Sequence, residues 1–310
     1  MVATMVAVAM FSSGVTAAAA DPGTGSAPGA TPAPEETESV PVESVPTDSV
    51  PTDSGQTDPE PTDPPSTAPP SPPPTAAPPA PKPKPKSRYV KKTITIGTSP
   101  KGRPIRATFK GYENASHVVV VLGQMHGDEP AGPRVVKRMI SSVPVGKGKG
   151  VWFVPTMNPD GAARGTRTNA RGVDLNRNWP TSGFSSRGKG TRTWGGPRAQ
   201  SERETRAVLR FLKAKKPDYV ASLHQPYGVI ARTGVDKKWE RRLSKELALP
   251  IRTVGVGTPS SKVSPTLTGW YNRFYRRHGT ATTIEFRPSV SSAYVKRRAA
   301  PGILRAAKAL

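Results

Sequence analysis

The chain has 310 residues, no cysteine and a formal net charge of +24. The absence of cysteine excludes a disulfide scaffold and a thiolate metal site, so any bound metal must use His, Asp or Glu. The positive charge is typical of a nucleic-acid-binding protein, but it is distributed very unevenly along the chain, and this changes its interpretation.

Residues 1–20, "MVATMVAVAMFSSGVTAAAA", carry no charge and end in a run of small residues. This pattern predicts a secretory signal peptide that is cleaved after Ala20. The segment is too short and too rich in alanine to span a bilayer comfortably. We therefore expect a secreted protein, extracellular or associated with the cell wall, with no membrane span in its mature form.

Residues 21–87 form a proline-rich segment, with 21 prolines, ten acidic residues and three lysines near its end. Such a composition cannot bury enough apolar surface to fold. We expect a disordered, extended linker that is acidic first and basic at its end.

Residues 88–310 hold 43 basic and 12 acidic residues, which is a formal charge of +31. This length is sufficient for one domain with its own hydrophobic core. A secreted domain with this charge suits anionic surroundings such as cell-wall polymers. No aromatic residues are interleaved with the basic ones in the way that nucleic-acid binding favours, so we expect no nucleic-acid partner.

Strands and helices are predicted to alternate along this domain. The β-branched, apolar runs predict strands at 93–97, 105–111, 117–123, 151–157, 218–224 and 281–286. Helical periodicity is found at 131–142, 199–214, 236–247, 266–277 and 291–309. The alternation predicts an α/β fold with helices on both faces of the sheet. The intervening 158–198 has little periodicity, and a loop of this length is usually functional.

Four polar residues follow or end three of the predicted strands. His126 and Glu129 follow strand 117–123, His224 ends strand 218–224, and Glu285 lies near the end of strand 281–286. Ligands in α/β sheets bind beyond the carboxyl ends of the strands, so these side chains are expected to meet. Two histidines and a carboxylate form a ligand set for catalytic zinc, and the remaining carboxylate can transfer protons.

Each of these residues also has an ordinary structural interpretation. An H-x-x-E pair can belong to a polar turn, and a histidine at a strand end is often only hydrogen-bonded. Glu285 could form a salt bridge with Arg287. However, the carboxylate of Glu285 lies in the apolar run "TATTIEF", where burial without a partner or a function would be costly.

Five motifs in this order resemble the zinc carboxypeptidase family, the M14 peptidases: "GQMHGDEPAG", "NPDG", "GVDLNRNWP", "SLHQP" and "TIEF". The resemblance covers about residues 93–290. It implies a three-layer α/β/α sandwich around a mixed, mostly parallel eight-stranded sheet. It also implies one zinc ion held by His126, Glu129 and His224, with Glu285 as the general base and acid.

The resemblance assigns roles to residues of the loop as well. Asn176 and Arg177 match the pair that binds the terminal carboxylate of the substrate, and a planar guanidinium suits this role because it binds carboxylate bidentately. Arg167 matches the arginine that polarises the scissile carbonyl, with Arg164 and Arg171 as neighbouring alternatives.

The sequence departs from digestive members of the family in two places. Residues 255–265 contain no tyrosine where those enzymes have a mobile one, and the nearby Tyr271 is predicted to lie on a helix. Thr268, the residue expected in the side-chain pocket, is neither acidic nor large and apolar. Asp128 lies between the two ligand positions of H-x-x-E, and we expect it behind the ligands or in solvent.

The loop "TRTNARGVDLNRNWP" is similar to that of bacterial murein peptide amidases. We therefore expect a secreted zinc metallopeptidase that hydrolyses a peptide or amide bond next to a free carboxylate, in wall peptides such as γ-D-glutamyl-diaminopimelate. The alternatives are a general metallocarboxypeptidase on secreted peptides, an N-acyl amino acid deacylase, and a wall-binding module without activity.

Overall fold

The computed structural model describes residues 87–255 and 257–310. The predicted signal peptide and all but the last residue of the predicted linker lie outside the described residues. Among the residues that are described, no helix combines the length and the apolar character that crossing a membrane requires.

Eight strands form one mixed sheet in the order β1-β2-β4-β3-β5-β8-β6-β7. Parallel pairs join β4, β3, β5 and β8 in the centre, and antiparallel pairs join β1 to β2, β2 to β4 and β6 to β8. The strands are β1 (Tyr89–Thr98), β2 (Pro104–Tyr112), β3 (His117–Leu122), β4 (Lys149–Val154), β5 (Tyr219–His224), β6 (Val229–Ala231), β7 (Ile251–Arg252) and β8 (Thr280–Glu285).

Helices cover both faces of this sheet. They are α1 (Ala131–Ser142), α2 (Pro159–Arg164), α3 (Arg203–Lys215), α4 (Lys237–Leu247), α5 (Leu267–Phe274), α6 (Ser292–Tyr294) and α7 (Ala300–Ala306), with a π-helical segment (Val295–Ala299) between the last two. One core contains residues of α1, α4 and α7, and a second core contains residues of α3 and α5. The predicted three-layer α/β/α sandwich is thus confirmed.

The central strand β3 is buried on both faces. Val119 and Val121 belong to the core beneath α1, whereas Val120 and Leu122 belong to the core beneath α3. A strand that is covered on both sides needs apolar residues at every position, and this explains the uninterrupted run "VVVVL". Polar residues, beginning with Gln124 and including His126, appear only after this buried strand has ended.

Among the strands and α-helices, three short elements were not predicted. β6 and β7 have three and two residues, and α2 has six, so none is long enough to show a hydrophobic period. Helix α2 lies within the predicted loop 158–198, where Asn158 caps it by accepting a hydrogen bond from the backbone of Gly161.

A close approach of two backbone segments fixes the turn after β3. A Cβ atom on Gly132, in the first turn of α1, would lie only 1.5 Å from the carbonyl oxygen of Gly123. Only glycine leaves space for this contact. The chain therefore turns back tightly between 123 and 132, and this turn contains His126 and Glu129.

Candidate active site

Two histidines and one glutamate converge at the carboxyl edge of the sheet. His126 Nδ1 lies 2.7 Å from Glu129 Oε1, and His224 Nδ1 lies 2.9 Å from Glu129 Oε2. The two Nδ1 atoms are 3.1 Å apart. All three side chains are buried, and their potential ligand atoms lie within 4.8 Å of one another. Ligands of a tetrahedral zinc ion lie about 3.3 Å apart, so this spacing fits one ion.

Hydrogen bonds to the outer ring nitrogens orient both histidines. Nε2 of His126 lies 3.1 Å from Oδ1 of Asp174, a carboxylate that can only accept, so Nε2 donates its proton there. Nε2 of His224 lies 3.1 Å from the hydroxyl of Ser222. Both Nδ1 atoms are consequently directed at Glu129, which is the arrangement that metal-binding histidines adopt.

The electrostatics of the site favour a cation. Burial alone would raise the pKa of Glu129, but the interactions with His224 and His126 outweigh it and lower the pKa to about 2. Burial opposes the charge on His126, yet Asp174 and Glu129 raise its pKa. The anions that attract a proton to His126 also attract a metal ion, which displaces that proton when it binds.

Glu285 is the last residue of β8 and lies opposite His224 in the parallel β5–β8 pair. Its side chain is buried, and within the described part of the chain Oε2 has no hydrogen-bond partner. Burial and the charge of Glu129 raise its pKa. The alternative salt bridge with Arg287 is not formed. A buried carboxylate oxygen without a hydrogen-bond partner is typical of a functional site.

Arg167 is held against the metal-binding group by Asp174. Its Nε and Nη2 donate to Oδ2 of Asp174 at 3.2 and 2.8 Å, and its Nη1 lies 3.2 Å from Nδ1 of His126. Despite the burial of Asp174, its interactions with His126, Arg167 and Arg177 hold the pKa of its carboxyl well below the usual range. This pair therefore fixes the guanidinium beside the ligands.

The neighbouring arginines have other contacts. Arg164 donates to the backbone oxygen of Asn169 at 2.6 Å, and Arg171 lies 3.7 Å from the buried carboxylate of Glu202. Neither lines the cleft that contains the metal-binding group. Among the three arginines that the sequence left as alternatives, the structure brings Arg167 to the site.

Asn176 and Arg177 lie in a 3-10 turn (Leu175–Arg177) and line the same cleft. The side-chain oxygen of Asn176 accepts a hydrogen bond from the backbone of Leu267 at 3.2 Å, and Nη1 of Arg177 donates to the backbone oxygen of Asn176 at 3.0 Å. The first contact ties this turn to the start of α5, where Thr268 faces the same cleft.

The cleft has a volume of about 890 Å³. It brings together every residue that the sequence predicted for the site: His126, Glu129, Arg167, Asn176, Arg177, His224, Thr268 and Glu285. They come from the ends of three central strands, from the loop after α2 and from α5.

Tyr227 and Asp128 also line the cleft, whereas Tyr271 does not. Tyr271 lies on α5 as predicted, and its hydroxyl donates to the backbone oxygen of Pro217 in the core, away from the cleft. Tyr227 lines the cleft with 68% of its surface exposed, and the sequence gave no sign of this position. Asp128 is exposed and lies 3.2 Å from Arg192, as expected for a residue in solvent.

Asp174 and Ser222 are the functional contacts that the sequence analysis missed. Asp174 lies 48 positions from His126, so no local spacing relates the two. Its place in "GVDLNRNWP", two residues before the predicted carboxylate-binding pair, was the available signal. Ser222 precedes His224 by two residues on β5 and thus shares its face of the strand.

Residues 86–238 match the family described as zinc carboxypeptidase. A murein peptide amidase A from Vibrio campbellii is 30% identical over 181 residues, which cover 54% of this chain and 71% of that protein. The chain belongs to the zinc carboxypeptidase family. It is accordingly a zinc-dependent hydrolase, and His126, Glu129 and His224 form its candidate metal site.

The chain is also similar in sequence to a carboxypeptidase and in fold to a solved amidase structure. The carboxypeptidase N catalytic chain of Rattus norvegicus is 29% identical over 227 residues, which cover 59% of this chain and 47% of that protein. The solved structure of murein-tripeptide amidase MpaA from Escherichia coli O157 superposes with a TM-score of 0.54 at 22% identity, covering 71% of this chain and 93% of that one. The chain spans about half the length of several other curated relatives.

We predict that Asp174→Asn weakens zinc binding by about 10- to 100-fold, because it removes the anion that orients and polarises His126. Competition with a chromophoric chelator measures the dissociation constant. Asp128→Asn is the control, since Asp128 contacts Arg192 at the exposed rim, and its zinc affinity should equal that of the parent. Equal affinity in both variants would contradict the role of Asp174.

Proposed function

We propose that this protein is a secreted zinc metallopeptidase that hydrolyses a peptide or amide bond next to a free carboxylate in cell-wall peptides. The γ-D-glutamyl-diaminopimelate bond of murein is the substrate that we favour. The observation that carries the proposal is one cleft that holds a candidate metal-binding triad, the buried Glu285, whose Oε2 has no partner within the described residues, and Arg177.

His126, Glu129 and His224 would hold the zinc ion, which when bound would act as a Lewis acid on the carbonyl and make water a better nucleophile near neutral pH. In our proposal Glu285 accepts a proton from the attacking water and passes it to the nitrogen of the leaving amine. Its position supports this role, because Glu285 lies next to His224 on neighbouring strands and its Oε2 is free of other hydrogen bonds within the described chain.

Arg167 is proposed to stabilise the negative charge that develops on the carbonyl oxygen. Preorganised cations act strongly in such a place because they need no rearrangement during the reaction. The two hydrogen bonds that Arg167 donates to Asp174 provide this preorganisation, and they leave Nη1 beside Nδ1 of His126 in the cleft.

Arg177 is proposed to bind the free carboxylate of the leaving group together with Asn176. Arg177 forms no salt bridge within the described residues, whereas the nearby Arg167 is paired with Asp174. The guanidinium of Arg177 is therefore available for a bidentate contact with an anion. Thr268 would contact the side chain of the leaving residue, and its small polar surface suits neither a basic nor a large apolar group.

The preference for wall peptides is supported by the relatives and by the charge. The Vibrio campbellii relative and the Escherichia coli O157 neighbour are both named as murein amidases. The formal charge of +31 on residues 88–310 favours an anionic setting such as cell-wall polymers. Secretion rests on the predicted signal peptide, residues 1–20. A general carboxypeptidase is the second candidate, which the similarity to carboxypeptidase N supports.

Substrate class is tested by incubating the purified zinc-loaded protein with muropeptides and with ordinary peptides that have free or blocked C-termini. We expect mass spectrometry to show cleavage of muropeptides between glutamate and diaminopimelate, abolished by a chelator and restored by zinc. Trimming of ordinary free peptides with muropeptides left intact would support the general carboxypeptidase instead.

We predict that Glu285→Gln retains zinc but lowers kcat by about 10²- to 10⁴-fold, because a proton-transfer group is lost while the ligands remain. His224→Ala, by contrast, should lose zinc because it removes a ligand. Metal analysis of both proteins beside their kcat separates the two roles. Zinc loss from Glu285→Gln, or full retention by His224→Ala, would be inconsistent with these assignments.

We predict that Arg177→Ala lowers kcat/KM about 10- to 100-fold on substrates with a free carboxylate, which corresponds to one charged hydrogen-bonded contact of about 1.5–3 kcal/mol. The effect should be small on the amidated form of the same substrate. Arg187→Ala, in the same loop but outside the cleft, is the matched control. Equal kinetics of the parent enzyme on both forms would refute this role.

A further inference from the structure

A second cavity lies beside the catalytic cleft and has no role in the mechanism described above. We call it the side groove. Its volume is about 530 Å³, and its lining includes Arg167, Arg171, Lys189, Arg192, Trp194 and Asp128. Four basic side chains and one acidic side chain thus surround a space large enough for a short peptide segment.

The side groove and the catalytic cleft meet at three shared residues, Asp128, Arg167 and Arg192. Arg177 and Thr268 line only the catalytic cleft. A substrate with its leaving-group carboxylate at Arg177 and its scissile carbonyl at Arg167 must continue beyond Arg167. The side groove therefore lies on the acyl side of the scissile bond. This step rests on the proposed function.

The positive charge of the side groove is only partly neutralised. Arg192 lies 3.2 Å from Asp128, and both are solvent-accessible. Arg171 is 3.7 Å from Glu202, but 58% of its side chain is exposed. Lys189 forms no salt bridge with any residue that the structure describes. Three cations consequently remain accessible to a ligand, and the single acidic group at the junction cannot balance them.

The loop that carries these cations is internally bonded and tied to the catalytic site. Trp194 Nε1 donates to the backbone oxygen of Ser186 at 2.9 Å, and Thr191 Oγ1 donates to the backbone oxygen of Gly188 at 2.7 Å. The backbone N–H of Asp174 donates to the backbone oxygen of Trp194 at 2.8 Å. The side groove is thus anchored to the residue that holds both His126 and Arg167.

We propose that the side groove binds a carboxylate carried by the acyl part of the substrate. Lys189, Arg192 and Arg171 would supply the positive charge, and Trp194 an apolar wall. A γ-linked glutamyl group carries its free α-carboxylate on this side of the bond. The side groove thus favours substrates with acidic acyl groups over the corresponding amides. This specificity distinguishes the protein from an enzyme that recognises only the C-terminal residue of its substrate.

The test compares two wall peptides that differ in one group, L-alanyl-γ-D-glutamyl-diaminopimelate and the form in which the α-carboxylate of glutamate is an amide. Each of these charges is exposed, so each is expected to contribute only modestly to binding. We expect kcat/KM for the acid to exceed that for the amide by about three- to tenfold, with the ratio falling as salt is added.

The double variant Lys189→Gln/Arg192→Gln should bring this ratio close to one. Lys237→Gln/Arg241→Gln on the exposed surface of α4 removes the same charge away from both cavities and should keep the parent ratio. A ratio of one in the parent enzyme, or a preference that survives in the first double variant, would overturn the inference while leaving the proposed function intact.

A binding measurement provides a readout that does not depend on turnover. The acyl product L-alanyl-D-glutamate and its α-amide are titrated calorimetrically onto the zinc-loaded parent and the Lys189→Gln/Arg192→Gln variant. We expect the parent to bind the acid more tightly than the amide. The variant should bind the acid and the amide with equal affinity. If the parent cleaves neither wall peptide, the proposed function is wrong. If the parent binds the acid and the amide with equal dissociation constants, the proposal that the side groove binds a carboxylate is wrong.

Discussion

The parallel pairing of β3, β5 and β8 is the constraint on which the active site depends. Parallel strands end at the same edge of a sheet, so residues that are distant in sequence meet there. His224 and Glu285 are partners in the β5–β8 register, and β3 delivers His126 and Glu129 to the same edge. A shift of one residue in this register would turn one of these side chains to the opposite face of the sheet.

Asp174 joins this edge to the long loop that covers it. Its carboxylate contacts Nε2 of His126 and two nitrogens of Arg167, and it caps the 3-10 turn by accepting from the backbone of Asn176. Its own backbone N–H donates to Trp194. One buried anion thus orients a candidate metal ligand, holds the guanidinium of Arg167 beside it and anchors the side groove. These contacts explain how an irregular loop can position side chains accurately.

Much of the fold was predictable because its signals are local. The run "VVVVL" identified a strand buried on both faces, and the period of 131–142 identified α1 with its observed ends. The short strands β6 and β7 gave no such signal, because a strand of two or three residues has no measurable period. Their pairing at the edge of the sheet depends on hydrogen bonds to β8 and to each other.

The sequence by itself determined the chemistry available to this protein. Without cysteine, a metal must be bound by His, Asp or Glu, and the strand ends supply His126, Glu129 and His224. The tertiary structure decided which of the basic residues lie beside them. The sequence pattern does not distinguish between Arg164, Arg167 and Arg171. The buried carboxylate of Asp174 binds Arg167, whereas the other two arginines have contacts elsewhere. No local pattern in the sequence predicts this contact.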